Sequence, residues 1–415
     1  VRPLVYFLLL FVFASPPSGA RGFDGGHTKL AWLATSYPHD SIFERVLGDN
    51  THDQNGELRL KFSAQEGSWN LRADYQLITR FGDSLSLADQ PSSTFYLPSS
   101  APDDEFRLMD LSHEIDASHD RVIVQRLDRL HLDYVGEKTV LRIGRQAVSW
   151  GNGLIYNPMD VFNPFDPAAV DTEYKIGDDI VYGQYLTDDG SDWQFVEVVR
   201  RNRDGNLSLA VNSTAVKFHG FGGDKEYDLL LSQHYDELLL GVGGSSSLGG
   251  AVIRGDITLT DTDDGWVTNL VANWSYSWVW GGRNVSAVAE YFYSGFGLKQ
   301  SDYSIADIQA DQDLSQRISR GELFTLGRHY VAGSMFIEVT PLFTLTPNIF
   351  VNVDDGSALA QVVAQWSFRQ DWQLLAWFNA PVGPDGSEYG GLDSGVENLT
   401  LAGGLAVFTQ LAWYF

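Results

Sequence analysis

The chain has 415 residues and no cysteine, so neither a disulfide framework nor a thiolate metal site can hold it. Acidic residues outnumber basic ones by 54 to 28, a formal charge of −26, which disfavours nucleic acid as a partner. The 12 Trp, 18 Tyr, 24 Phe and 41 Gly fit many strands joined by tight turns.

At the start, Arg2 precedes an apolar run from Leu4 to Ala14, and Ser15, Pro16, Pro17, Ser18, Gly19 and Ala20 follow. That order reads as a secretory signal peptide over residues 1–20, cut after Ala20. The run is too short for a spanning helix of about 20 residues. No later stretch reaches that length. If residues 21–415 cross a membrane they must do so as strands, because only helices and closed barrels satisfy backbone polar groups in lipid.

Two-residue alternation predicts strands over 27–36, 56–64, 68–80, 121–135, 138–149, 178–187, 191–202, 213–221 and 225–235. It predicts nine more over 237–245, 249–261, 265–280, 283–295, 328–340, 343–353, 357–370, 372–381 and 398–415. Ile253, Ile257 and Leu259 alternate with Arg254, Asp256 and Thr258. In the last strand Leu399, Leu401, Leu405, Val407, Leu411, Trp413 and Phe415 share one parity. Many of these segments suit tilted spanning strands better than sandwich strands of about five to six residues. Short links, among them 136–137, 222–224, 245–247, 281–282, 340–342 and 370–371, alternate with long ones at 81–120, 150–177, 296–327 and 382–397. Short turns at one end and long loops at the other are a barrel pattern. The expected fold is all-β: a transmembrane antiparallel β-barrel of about 18 strands over residues 21–415, with an inward-folded loop and an aqueous lumen. Trp266, Trp274, Tyr276, Trp278, Trp280, Tyr291 and Tyr293 are expected at the lipid interface.

The loop after the strand 138–149 is stiffened by Asn157-Pro158, Asn163-Pro164 and Asp166-Pro167. It also carries Leu154, Ile155, Met159, Val161, Phe162 and Phe165. An apolar loop is unfavourable in water, so it is expected to fold inward and constrict the lumen, with Asn157, Pro158, Asp160, Phe162, Asn163 and Pro164 at the constriction. Gly144-Arg145-Gln146, Trp150-Gly151, Asn157-Pro158-Met159-Asp160 and Phe162-Asn163-Pro164 resemble the signature of alginate-export-like and related porin-like outer-membrane proteins of the Gram-negative porin superfamily. That resemblance implies an 18-stranded barrel conducting an anionic or uncharged solute, or secreting a product outward.

Parity assigns the inward side chains. Leu130, Leu132 and Tyr134 face lipid, so Arg129, His131 and Asp133 face the lumen. Arg142 and Gln146 oppose Leu141 and Ile143, whereas Arg145 needs a bulge at Gly144 to turn inward. Lys217, His219, Arg254, Asp256, Glu290, Glu338 and Arg369 complete the expected lining, which selects ions by sign or braces the wall. No GxSxG or HExxH occurs, and His113-Glu114 with His119 has the wrong spacing for a zinc helix, so no catalytic site, metal or cofactor is expected. The function expected is an outer-membrane channel, a porin or exporter, for small or oligomeric solutes. The alternative is a non-conducting binding or assembly component, or the partner of a periplasmic transport system. Expected partners are outer-membrane lipid and lipopolysaccharide, a small solute or oligosaccharide, and the barrel-assembly machinery.

Overall fold

The computed structural model describes residues 22–87 and 103–415, so the expected signal peptide lies outside the described residues. Strands β1 (Gly25–Ser36), β2 (Asn50–Glu66), β3 (Trp69–Gly82), β4 (Ser112–Ser118), β5 (Arg121–Val135), β6 (Thr139–Gln146) and β7 (Asp178–Leu186) come first. Then follow β8 (Asp192–Val198), β9 (Ser213–Gly222), β10 (Lys225–His234), β11 (Glu237–Leu248), β12 (Ala251–Thr262), β13 (Gly265–Trp280) and β14 (Arg283–Ser294). The last are β15 (His329–Thr340), β16 (Phe343–Asn352), β17 (Ser357–Arg369), β18 (Trp372–Val382), β19 (Leu392–Asp393), β20 (Thr400–Leu401) and β21 (Leu405–Tyr414).

Apart from β4 and the small β19–β20 pair, each strand pairs antiparallel with the next, and β21 returns to β1 with Leu30 opposite Leu411. Eighteen strands therefore close the barrel, which leaves no long unpaired edge. The outward face carries exposed apolar residues such as Leu30, Ile143, Leu231, Val242, Ile257, Val331, Val362 and Val407. A belt of that extent is unfavourable in water and suits hydrocarbon. The start of β1 and the end of β21 lie at the end with short links, where β11 turns into β12 through Gly249 and Gly250, at φ 57° and 86°.

At the opposite end the loops build a cap with its own small core. Helices α1 (Ile42–Leu47), α2 (Ile305–Ala310) and α3 (Gln312–Ser319) belong to it. Tyr303, Ile308, Leu314, Leu326, Leu392 and Leu401 pack together there, with Ile42 and Phe43 against them.

Several expectations are corrected. The strand expected over 138–149 stops at Gln146. The last strand starts at Leu405, and Leu399 and Leu401 are buried on the cap side instead of facing outward. Ser245, Ser246 and Ser247 are paired within β11 and do not form a turn. β4, which alternation did not reveal, pairs with the upper part of β5, while β6 pairs with its lower part.

Candidate functional site

Residues 147–177 leave β6 and enter the barrel. Gln146 ends the strand by turning its side chain onto backbone, donating Nε2 to the Ile180 carbonyl at 3.0 Å. Gly151 then takes φ 97°, and a Cβ on it would stand 2.0 Å from Asn157 Oδ1. Asn157 closes this turn by donating Nδ2 to the Trp150 carbonyl at 2.8 Å.

From that turn the loop follows the inner wall. Trp150 donates its indole N–H to Gln194 of β8 at 2.6 Å. Asn152 donates its backbone and side-chain N–H groups to Asp256 of β12, and its side chain also reaches Asp228 of β10. The backbone N–H groups of Leu154, Ile155 and Tyr156 all point at the Glu290 carboxylate of β14, at 2.8, 3.1 and 2.6 Å. Tyr156 stacks on Phe292, with ring centroids 4.8 Å apart, and meets Tyr330 of β15. Farther on, Gln361 of β17 donates to the Ala168 carbonyl. Asp171 accepts from Lys29 of β1 and Gln410 of β21. The Tyr174 ring lies 3.9 Å from the Arg59 guanidinium of β2. Arg129 of β5 donates to the Lys175 carbonyl. The loop thus touches wall strands around the circumference, with residues 159–162 doubling back onto β7–β11 before it goes on to β17, β1 and its origin.

Apolar contacts hold the first half of this ring. Trp150, Met159 and Phe162 are buried against Ile180, Val196, Val198, Ala215, Leu230 and Leu239. Each such large side chain contributes roughly 1.5–3 kcal/mol on burial. The second half is held by polar contacts. Lys175 donates to Asp160 at 2.5 Å and to the Val148 carbonyl at 2.6 Å, which ties both ends of the loop together. Asn163 takes the left-handed region at φ 53°, and the rings of Pro158 and Pro164 fix φ on either side of Phe162.

The two sides of the lumen differ in charge. On β2, β3, β5 and β6, Arg59, Arg72, Arg126, Arg129 and Arg142 surround Asp74, Asp128 and Asp133. Guanidinium groups exceed carboxylates there. Arg72, Arg129, His131 and Arg142, with Asn70, Asp133, Gln146 and Ala147, line a niche of about 470 Å³ between the loop and the short-turn end. On β10, β12 and β14 the row Asp228, Asp256 and Glu290 is acidic. Lys217 and His219 both approach Asp228, at 2.8 and 2.9 Å, whereas Asp256 and Glu290 are held by loop N–H groups.

The remaining expected lining residues separate into three groups. Arg254 donates to Ser275 at 2.9 Å on the inner face. Glu338 accepts from Asn284 close to the short turns, far along its strand from the loop. Arg145 and Arg369 do not fit. The β5–β6 register is regular through Gly144, so Arg145 keeps the outward parity of Ile143. It is sealed in by Asp104, Asp179 and the Met109 carbonyl, and lines no lumen. A register shift between Trp366 and Arg369 sets Arg369 opposite Trp372, whose face is the outward one of Leu374 and Phe378.

Arg59, Arg72, Asp74 and Asp228 were missed, although plain parity on their strands would have found them. Arg126 and Asp128 could not be found that way. A bulge sets Tyr75 opposite Leu127 and Asp74 opposite Arg129, so Asp128 and Arg129 both turn inward.

Ser213, His234 and Glu322 form a Ser–His–carboxylate line, with contacts of 2.8 and 3.0 Å. Arg200 also donates to Ser213 Oγ at 2.6 Å, and Ser213 and His234 are buried. The line continues through Glu322 to Arg317 and Glu237, so it braces the cap against β9–β11.

No family model and no curated protein sequence matches the chain. Solved structures do. A BenF-like porin from Pseudomonas fluorescens Pf-5 aligns with a TM-score of 0.54 and 8% identity, over 95% of this chain and 98% of that one. Acinetobacter baumannii OccAB1 aligns with a TM-score of 0.53 and 10% identity, over 96% and 98%. Pseudomonas aeruginosa OccK5 (OpdH) gives 0.52 and 8%, over 95% and 98%. At these identities the likeness is one of fold, that of the outer-membrane porin barrel.

Proposed function

We propose that the protein is an outer-membrane channel that passes small solutes, with a preference for anions. The observation that carries this reading is the placement of residues 147–177. One loop lies along the inside of a wide barrel, where it would narrow the lumen. An outward apolar belt and a polar interior suit a pore through lipid. The belt would face membrane lipid and lipopolysaccharide, and the short-turn end would face the periplasm. The lumen residues Arg129, His131, Asp133, Arg142 and Gln146, with Arg59, Arg72 and Arg126, would form the anion path beside the loop. Lys217, His219, Asp256 and Glu290 would anchor the opposite side.

Guanidinium excess on one side favours anions, because a charged ring or wall selects by sign. The overall charge of −26 points the other way, but much of it lies in loops and in paired carboxylates. The Ser213–His234–Glu322 line is a strut in this reading, since the seat is buried and Arg200 occupies the hydroxyl. The test is a planar bilayer holding the purified protein in a salt gradient. Discrete conductance steps with a reversal potential of anion sign are expected. A barrel that inserts and stays silent would instead favour a non-conducting binding or assembly role, such as the partner of a periplasmic transport system.

A further inference from the structure

Glu388 lies in the segment that follows β18, at the base of the cap. It accepts hydrogen bonds from the Tyr330 hydroxyl at the start of β15, from Asn352 Nδ2 at 2.8 Å and from the Leu326 N–H. Its own N–H donates to Asp355 at 2.8 Å, and Asn352 also donates to Asp355 at 3.1 Å. Glu388 therefore joins three segments at the long-loop end: 295–328, the short turn 353–356 and 383–391. Its donors are neutral, and none of the ion pairs among the described residues involves it. Tyr303 shares Asn352 with it, and the cap core begins at that tyrosine. The other titratable groups facing Glu388 are Asp354, Asp355, Tyr156, Tyr303, Tyr330 and Tyr389, all acids. Arg328, two residues beyond Leu326, is engaged with the Gly297 carbonyl and Tyr293.

A half-buried carboxyl that shares the Asn352 donor with the Asp355 carboxylate and meets no base is held toward its protonated form. We propose that Glu388 is a proton-operated latch: neutral, it seats segment 383–391 and the cap on the barrel rim, and ionised, it lets them go. Burial pushes the Glu388 carboxyl up to about 8 against the Tyr330 and Asn352 donors, and Asp355 pushes the same way. A glutamate free in water titrates near about 4.3. The seated cap therefore keeps a proton that the released segment gives up. Seating is strongest below about pH 4.3, weakens as pH rises, and levels off above about pH 8. With one linked proton, the opening equilibrium grows by about tenfold per pH unit inside that window. The outer mouth would close in acid and loosen in alkali.

Hydrogen exchange on the full barrel in micelles tests this without any reference to conduction, so its outcome is independent of the channel reading. Exchange of segment 383–391 is followed from about pH 5 to about pH 9, corrected for the intrinsic rate. Wild type should open at least about a hundredfold more at the alkaline end. Glu388→Gln, neutral at every pH, should stay protected and flat. Asp355→Asn, which removes a nearby negative charge, should shift the midpoint to lower pH, and it serves if Glu388→Gln does not fold. Flat corrected exchange in wild type would overturn the proposal. So would an unchanged pH response in Glu388→Gln, or a midpoint in Asp355→Asn that stays put or moves up.

Discussion

The two sides of the lumen use the same chemistry for opposite ends. On β2–β6, carboxylates are consumed by arginines: Asp128 alone meets Arg59, Arg126 and Arg129. On β12 and β14, Asp256 and Glu290 meet no arginine among the described residues and are satisfied by N–H groups of residues 152–156. A count of charges would make the second wall repel anions. The loop changes that, because its amide dipoles neutralise the acids and cover them. The first wall keeps Arg72 and Arg142 partly exposed while Arg59, Arg126 and Arg129 are drawn onto Asp128, and the second turns its charge into an attachment point.

The most severe test of this contrast is deletion of residues 152–166. If the ring narrows the lumen, single-channel conductance should rise severalfold, and an unchanged value would place the narrowing elsewhere. Glu290→Ala comes next, because three buried N–H groups lose their shared acceptor. A cost of about 3–6 kcal/mol is expected in the stability of the loop's seating. Greater open-channel noise and faster proteolysis within residues 147–177 would report it. Quiet channels and an intact loop would mean that Trp150, Met159 and Phe162 suffice as anchors. The paired change Arg72→Glu with Arg142→Glu reverses the niche. The reversal potential in a salt gradient should shift toward cations, and the unfolding midpoint should fall as well, because buried Asp74 and Asp133 each lose an arginine and face a like charge. Glu338→Gln is the control with the smallest effect. It lies near the short turns and its carboxylate accepts from Asn284, far from the loop, so conductance and selectivity should stay within error of wild type.

Wall strands were legible because each spans the sheet with period two, and a local signal of that kind survives without knowledge of neighbours. β5 and β13 end where alternation ends, at Val135 and Trp280. The inward fold of the loop was also legible, because apolar residues between Asx-Pro turns must find cover. What escaped depends on contacts between distant segments. Parity could not foresee the bulge before Arg129, the shift that turns Arg369 outward, or the segment that seals Arg145. Leu399 and Leu401 continue the alternation of β21, yet their partners are cap residues far away in sequence. Glu388 carries no sequence signal at all, since an acid in a glycine-rich loop looks solvated until tyrosines and asparagine enclose it.

Asp171 accepts at once from Lys29 on the first wall strand and from Gln410 on the last, and Glu173 reaches Lys29 and Tyr414 beside them. The loop inside the barrel is also a clasp across the seam where the chain meets itself. The half offered by Gln410 and Tyr414 exists only once the last strand is in place. Closure of the seam and the seating of this end of the loop are therefore coupled through the same two carboxylates.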